Sequence, residues 1–353
     1  MCINARNQRE NRQFVQFSGY TYREMENDLH IFSKIFKGIM EVQTVGDTVD
    51  GRKLYHVRMG NENAADKVLI FGGIHGREYM TTQLVMEQMG EFVENLLHED
   101  RTYKGYSYSE LLKDRALHII PMANPDGVTV SQFGAEGMQS PGIREQVWEI
   151  ADEDGARMPW RSYFCRWKSN AEGVDVNRNF DALWEDYVDG IGRPSREKYK
   201  GTAPESTREA QALVNLTKKE NFSRTVSYHS SGGVIYWAFG QQGELAVRTQ
   251  AFANRIAAVT GYEPDGNYEE LDPAGYKDWA LLKMGIPSLT IEIGRADSPL
   301  PQSAYKKILR ENRGVWEEIL LDIIEEKKKR PLKNAGYCNR PDVSRHRRIN
   351  SLT

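Results

Sequence analysis

Apolar and polar positions along the chain alternate between a helical period and an extended one. Between Tyr22 and Phe36, the residues Met25, Leu29, Ile31, Phe32 and Ile35 recur at helical spacing behind Thr21, which predicts a capped helix. Met40 to Val45 and Lys53 to Met59 flank the turn signal Asp50-Gly51 and predict a strand pair, in which His56 alternates as a packed or solvated histidine. Val68 to Phe71 is apolar without alternation, as expected of a strand in a parallel sheet covered on both faces. Thr81 to Leu97 returns to the helical period. Ala116 to Met122 predicts another strand, ending in the turn-forming cluster Asn124-Pro125-Asp126-Gly127. Ser131 to Asn170 has no clear period and predicts a long ordered excursion with local helix at Glu145 to Ala151. Beyond it come a helix from Ser206 to Lys219, a strand from Arg224 to Tyr228 and a helix from Ala251 to Val259. A strand within Ile286 to Gly294 and a last helix from Ala304 to Ile324 complete the series.

Composition narrows the class without naming a function. A chain of 353 residues, 39% hydrophobic and 27% charged, has ample material for one large core. No run approaches the roughly 18 apolar residues of a membrane span, and the first thirty residues carry no apolar segment of the secretory kind. Cys2, Cys165 and Cys338 are scattered and lack CxxC spacing, which argues against a disulfide framework or a cysteine zinc site and suits a reducing cytoplasm. The net charge of −3 conceals an asymmetry: Lys327 to Thr353 holds nine Lys or Arg against Asp342, so the body is acidic.

Four stretches carry candidate chemistry. In KVLIFGGIHGREYM, from Lys67, a strand breaks at Gly72-Gly73 and releases His75 and Glu78 at its carboxyl end, where open α/β sheets place ligand sites. An imidazole and a carboxylate three residues apart on a turn can face one point, as a divalent metal requires. In GVDVNRNF, from Gly173, Arg178 offers a guanidinium matched to a carboxylate beside the amides of Asn177 and Asn179. The strand from Arg224 delivers His229 before Ser230-Ser231-Gly232-Gly233, repeating the first architecture. In IPSLTIEIG, Leu289, Ile291 and Ile293 point one way and Thr290 and Glu292 the other, so Glu292 is a buried carboxylate that needs a partner or a catalytic reason.

Taken jointly and in order, GGIHGRE, GVDVNRNF, SYHSSGG and TIEIG resemble the zinc metallocarboxypeptidase family over about Tyr20 to Lys327. The resemblance implies a single α/β domain with a mixed, mostly eight-stranded sheet between helical layers. That domain is expected over 20–326, after a polar arm at 1–19 and before a basic, disordered tail at 327–353. It further implies one Zn2+ per chain on His75, Glu78 and His229, with Glu292 as general base. Asn177 and Arg178 would grip the substrate's terminal carboxylate, and Arg77 would line the cleft. Within the family, GVDVNRNF after WKSNAE and AGYKDW before the last strand look most like bacterial γ-D-glutamyl-diamino-acid peptidases acting on peptidoglycan stem peptides. The family's transition-state arginine is matched by Lys168, with Arg166 as the alternative; its cleft tyrosine is matched by Glu270, with Tyr268 nearby. Lys277, directly before Asp278-Trp279, falls at the base of the leaving residue's pocket and favours a second anionic group there.

The function this implies is hydrolysis, in the cytoplasm, of a peptide or γ-D-glutamyl amide bond beside a carboxylate-bearing terminal residue. Zinc would acidify water and polarise the carbonyl, Glu292 would move the proton, and Lys168 or Arg166 would face the oxyanion. A zinc deacylase of N-acyl amino acids and a non-catalytic binding protein on the same fold stand as alternatives. The expected partner is a small peptide with a free carboxylate rather than nucleic acid, and the basic tail fits a solvated extension or attachment to an anionic surface.

Overall fold

The computed structural model describes residues 19–269 and 272–329. Its strands are β1 (Met40–Asp47), β2 (Lys53–Gly60), β3 (Asp66–Phe71), β4 (Thr102–Tyr103), β5 (Tyr106–Ser107), β6 (Arg115–Ile120), β7 (Arg224–His229), β8 (Val234–Tyr236), β9 (Glu263–Asp265) and β10 (Ser288–Glu292). Eight of them form one sheet in the order β1-β2-β6-β3-β7-β10-β8-β9, and β4 pairs with β5 separately. The centre, β6-β3-β7-β10, is parallel, while β2 and β8 border it antiparallel. The sheet is therefore mixed and eight-stranded, as the resemblance implied.

The helices are α1 (Tyr22–Ile35), α2 (Met80–Leu97), α3 (Tyr108–Leu112), α4 (Pro125–Phe133), α5 (Pro141–Glu153), α6 (Trp160–Phe164), α7 (Arg208–Glu220), α8 (Gly243–Thr260), α9 (Tyr276–Leu282), α10 (Tyr305–Asn312) and α11 (Val315–Lys329). The unbroken apolar run in β3 is explained by the two layers they make. Val68 and Ile70 point into a core shared with α1, α2, α8, α10 and α11, whereas Leu69 and Phe71 point into a second core shared with α7 and α9. Leu289, Ile291 and Ile293 all enter the first of these. Each entry is locally specified: Thr21 and Glu24 form a capping box at α1, and Thr207 accepts from the Ala210 amide to cap α7. His56 is buried with Nε2 3.0 Å from His118 Nδ1, a packed pair between β2 and β6.

Five expectations change. Asn124-Pro125-Asp126-Gly127 is the start of α4 rather than a turn: Asn124 accepts from the Gly127 amide at 2.8 Å, and Pro125 takes the first helical position, where its missing N–H costs nothing. The excursion after Ser131 holds more helix than expected, since α5 begins at Pro141 and α6 follows. Both pack with Val130 and Trp167 into a third small core. The helix expected from Ala251 starts at Gly243. The last helix is two, broken at Gly314, whose φ of +87° a residue with a side chain rarely adopts. α11 continues to Lys329, three residues into the expected tail, and Lys327 Nζ pairs with Asp66 at 2.5 Å. The remainder of that tail and the arm before Gly19 lie outside the described residues.

Candidate metal centre and active site

β3, β7 and β10 run side by side and end on the same edge, so their carboxyl ends deliver three segments to one place. Register puts Glu292 of β10 directly beside His229 of β7. From β3 the chain passes through Gly72, Gly73 and Ile74 to His75, and the turn Gly76–Glu78 brings Glu78 back beneath it. Gly76 has a steric reason: a Cβ there would stand 2.3 Å from the Gly127 carbonyl oxygen at the start of α4, while its N–H donates to Lys168 O at 3.0 Å.

His75, Glu78 and His229 are buried together. His75 Nδ1 lies 2.9 Å from Glu78 Oε1, and His229 Nδ1 lies 3.2 Å from both His75 Nδ1 and Glu78 Oε2. Bonds of about 2.1 Å to a tetrahedral zinc put adjacent ligand atoms roughly 3.4 Å apart, so this spacing fits one zinc ion. His75 Nε2 lies 3.2 Å from Asp175 Oδ1, so a proton on Nε2 would face that carboxylate and leave the Nδ1 lone pair for a metal. For Glu78, burial favours the neutral acid, but His75 and His229 outweigh it and hold the carboxyl well below the usual range. Asp175 is buried too, and Lys168 and His75 overcome that desolvation to keep it ionised.

The three ligand candidates share a cavity of roughly 500 Å³ with all the other residues expected at the site: Arg77, Lys168, Asn177, Arg178, Lys277 and Glu292, as well as Arg166. Burial pushes the Glu292 carboxyl up, against the pull of His229 and the weaker pull of Lys168 and Arg178. Asn177 Oδ1 accepts from the Tyr276 amide at 3.0 Å, and its NH2 donates to no partner among the described residues. Arg178 donates to Asn177 O at 2.8 Å, lies 3.5 Å from Asp272 and sits over the Tyr187 ring. Lys168 Nζ is 3.4 Å from Asp175. Arg77 is 3.2 Å from Glu197. Lys277 lines the cavity but is not a lone cation: its ammonium donates to Asp278 at 2.6 Å and to Ala238 O at 2.9 Å.

Of the two candidates for a cleft tyrosine, Tyr268 meets Phe239 edge-on with ring centres 5.9 Å apart and does not line the cavity; Glu270 lies outside the described residues. The tyrosine that does line it is Tyr236, the cross-strand partner of Thr290, on the same face as Glu292. Sequence reasoning missed it because nothing local says that β8 pairs with β10. Asp175, which orients His75 and Lys168 at once, was within reach as the acid of GVDVNRNF, two residues before Asn177. Asp272, Asp297 and Ser298 complete the polar wall.

Comparison with known proteins gives one answer. A family model described as zinc carboxypeptidase matches residues 25–317. The gamma-D-glutamyl-L-diamino acid endopeptidase 1 of Lysinibacillus sphaericus is 28% identical over 298 residues, spanning 84% of this chain and 71% of that protein. Human carboxypeptidase A6 is 25% identical over 291 residues, 76% of this chain and 60% of its own. Among solved structures, bovine thrombin-activatable fibrinolysis inhibitor, in complex with tick carboxypeptidase inhibitor, superposes with a TM-score of 0.65 at 19% identity, covering 89% of this chain and 98% of that one.

Proposed function

The chain belongs to the zinc carboxypeptidase family, and we propose that it hydrolyses the amide bond between a γ-D-glutamyl residue and a terminal diamino acid in peptidoglycan stem peptides. The observation that carries this reading is the lining of the cavity. Among the described residues no aliphatic side chain faces it and Tyr236 is the only phenolic or benzenoid ring, while ten of the residues around it are Lys, Arg, Asp or Glu. A pocket of that kind desolvates an apolar leaving residue against fixed charges and gains nothing in return. The far end of diaminopimelate, an ammonium beside a carboxylate, is instead complementary to the Lys277-Asp278 pair and to Asp272.

His75, Glu78 and His229 would hold the zinc on which the family depends, and when bound it would supply a Lewis acid and lower the pKa of water to about 7. The chain's own groups do the rest. Asp175 keeps His75 in the ligating tautomer. Glu292 accepts a proton from the attacking water and passes it to the departing amine. Lys168, drawn toward His75 by their shared partner Asp175, faces the developing oxyanion. Arg178 and the free amide of Asn177 take the leaving residue's carboxylate, which fixes the bond to be cut.

The test is digestion of zinc-loaded protein with L-Ala-γ-D-Glu-diaminopimelate, the corresponding lysine peptide and a peptide ending in phenylalanine, with products read by mass spectrometry. The expected result is release of diaminopimelate ahead of the other two residues. Preference for the phenylalanine peptide would overturn the reading.

A further inference from the structure

Among the described residues five cations line the cavity, and four are held by carboxylates of the chain itself: Arg77 by Glu197, Lys168 by Asp175, Arg178 by Asp272 and Lys277 by Asp278. Arg166 alone has no side-chain partner among the described residues. Its position along the cleft follows from its neighbours. The backbone over Arg166 to Lys168 runs beside the ligand turn, with Lys168 O accepting from Gly76 N at 3.0 Å and Arg166 O facing Arg77 Nη1 at 3.3 Å. Lys168 is the member of that segment whose charge, with that of Arg178, favours the ionised form of Glu292. Arg178, assigned above to the leaving residue, is 3.5 Å from Asp272 and sits over the Tyr187 ring. Arg166 and Arg77 thus line the cavity from chain packed on the ligand turn.

We propose that Arg166, with Arg77 beside it, forms an anion subsite that takes a free carboxylate on the acyl residue of the scissile bond. The proposal rests on the function argued above and extends it. A γ-linked glutamyl residue carries its α-carboxylate free, at the far end of a short aliphatic spacer from the scissile carbonyl. An arginine without an internal partner can bind that group by two parallel hydrogen bonds with no ion pair to break first. The subsite would therefore read the charge of the acyl residue, as Arg178 reads the leaving residue. It also separates the two candidate cations: Lys168 serves the oxyanion and Arg166 serves specificity.

The experiment compares L-Ala-γ-D-Glu-diaminopimelate with the same peptide bearing an α-carboxamide in place of the α-carboxylate, using zinc-loaded wild type, Arg166→Gln and Arg166→Lys. A charge-assisted hydrogen bond predicts that wild type prefers the carboxylate by roughly ten- to hundredfold in kcat/KM. In Arg166→Gln that ratio should fall to near unity, and Arg166→Lys should restore part of it. A structural role alone would lower both peptides together and leave the ratio untouched. A wild-type ratio near unity, or one that Arg166→Gln does not change, overturns the subsite while leaving the proposed hydrolysis standing. Wild type that cleaves neither peptide overturns the hydrolysis, and the subsite with it.

Discussion

Replacing Glu209 by glutamine tests whether a carboxyl behind the active site is kept neutral by the fold. Glu209 sits in the first turn of α7 with no exposed surface; one oxygen accepts from Asn170 Nδ2 at 3.2 Å and the other has no partner among the described residues. Asn170 also accepts from the amides of Glu172 and Val174 at 3.0 Å, so the pair fixes the strand of chain that leads into Asp175. Burial, and then the nearby charge of Asp126, pushes the Glu209 carboxyl from 4.5 up to about 8. The unfolded chain loses this proton near 4.5 and the folded chain near 8, so the contribution to stability is fully present below 4.5 and is lost as pH rises through about 8. At about 1.4 kcal/mol per pH unit, the loss between about pH 5 and about pH 8 is on the order of 4 kcal/mol. Glu209→Gln removes the titration, whatever constant offset the amide adds. The variant's melting temperature relative to wild type should therefore climb by on the order of 5 °C across that interval, taking about 1–2 °C per kcal/mol for a chain of this size. Scanning calorimetry of zinc-loaded proteins at matched pH measures it, and subtracting wild type cancels the pH dependence common to both. A relative melting temperature that stays flat from acid to alkaline conditions would refute the reasoning.

Three further outcomes follow from the site. His229→Ala should lose bound zinc and turnover together, read by metal analysis of the purified protein; full zinc occupancy in the variant would remove His229 from the ligand set. Glu292→Gln should keep its zinc and its melting temperature while turnover falls by about 10²–10⁴, and unchanged turnover would make Glu292 a structural residue. Lys277→Ala strands the buried Asp278, so it should lower stability by roughly 3–5 kcal/mol and shift the ranking of γ-D-Glu-diaminopimelate against γ-D-Glu-Lys toward the lysine peptide. A ranking that does not move would exclude Lys277 from specificity.

The site was legible where its residues are adjacent in sequence or stand at strand ends, and illegible where it depends on pairing. His75 and Glu78 share a turn, and His229 and Glu292 close their strands, so each could be singled out before its neighbours were known. That β6 inserts between β2 and β3, or that β8 lies against β10, depends on contacts remote in sequence, and Tyr236 was lost with that information. The misreading at Asn124-Pro125-Asp126-Gly127 has a different origin. The same residue types initiate turns and cap helices, and the Val128-Thr129-Val130 that follows is β-branched and a poor helix former. Burial decides it: Val128 and Val130 are fully buried, in two different cores, which overrides propensity. The broken last helix turns on Gly314, which a continuous apolar period passes over without a mark.

The charge pairs inside the cavity are not equivalent, and their exposure decides which can be exchanged for substrate. Lys277 and Asp278 are each only 6% exposed and lie 2.6 Å apart, so separating them would leave two buried charges unpaired. That pair acts as a fixed dipole on the pocket wall, and any recognition by Lys277 runs through what remains of its hydrogen-bonding capacity rather than through a free charge. Arg178 and Asp272 differ: Asp272 is 55% exposed and 3.5 Å away, a pair of the kind worth no more than about 1 kcal/mol. A substrate carboxylate that makes two parallel hydrogen bonds to Arg178 gains more than it displaces, and Asp272 is then released toward solvent or toward an ammonium on the incoming residue. Under the proposed reading, the carboxylate is bound by exchange at Arg178, against a fixed dipole at Lys277-Asp278, and without competition at Arg166. This ordering explains how a cavity with as many internal anions as cations can still select an anionic peptide.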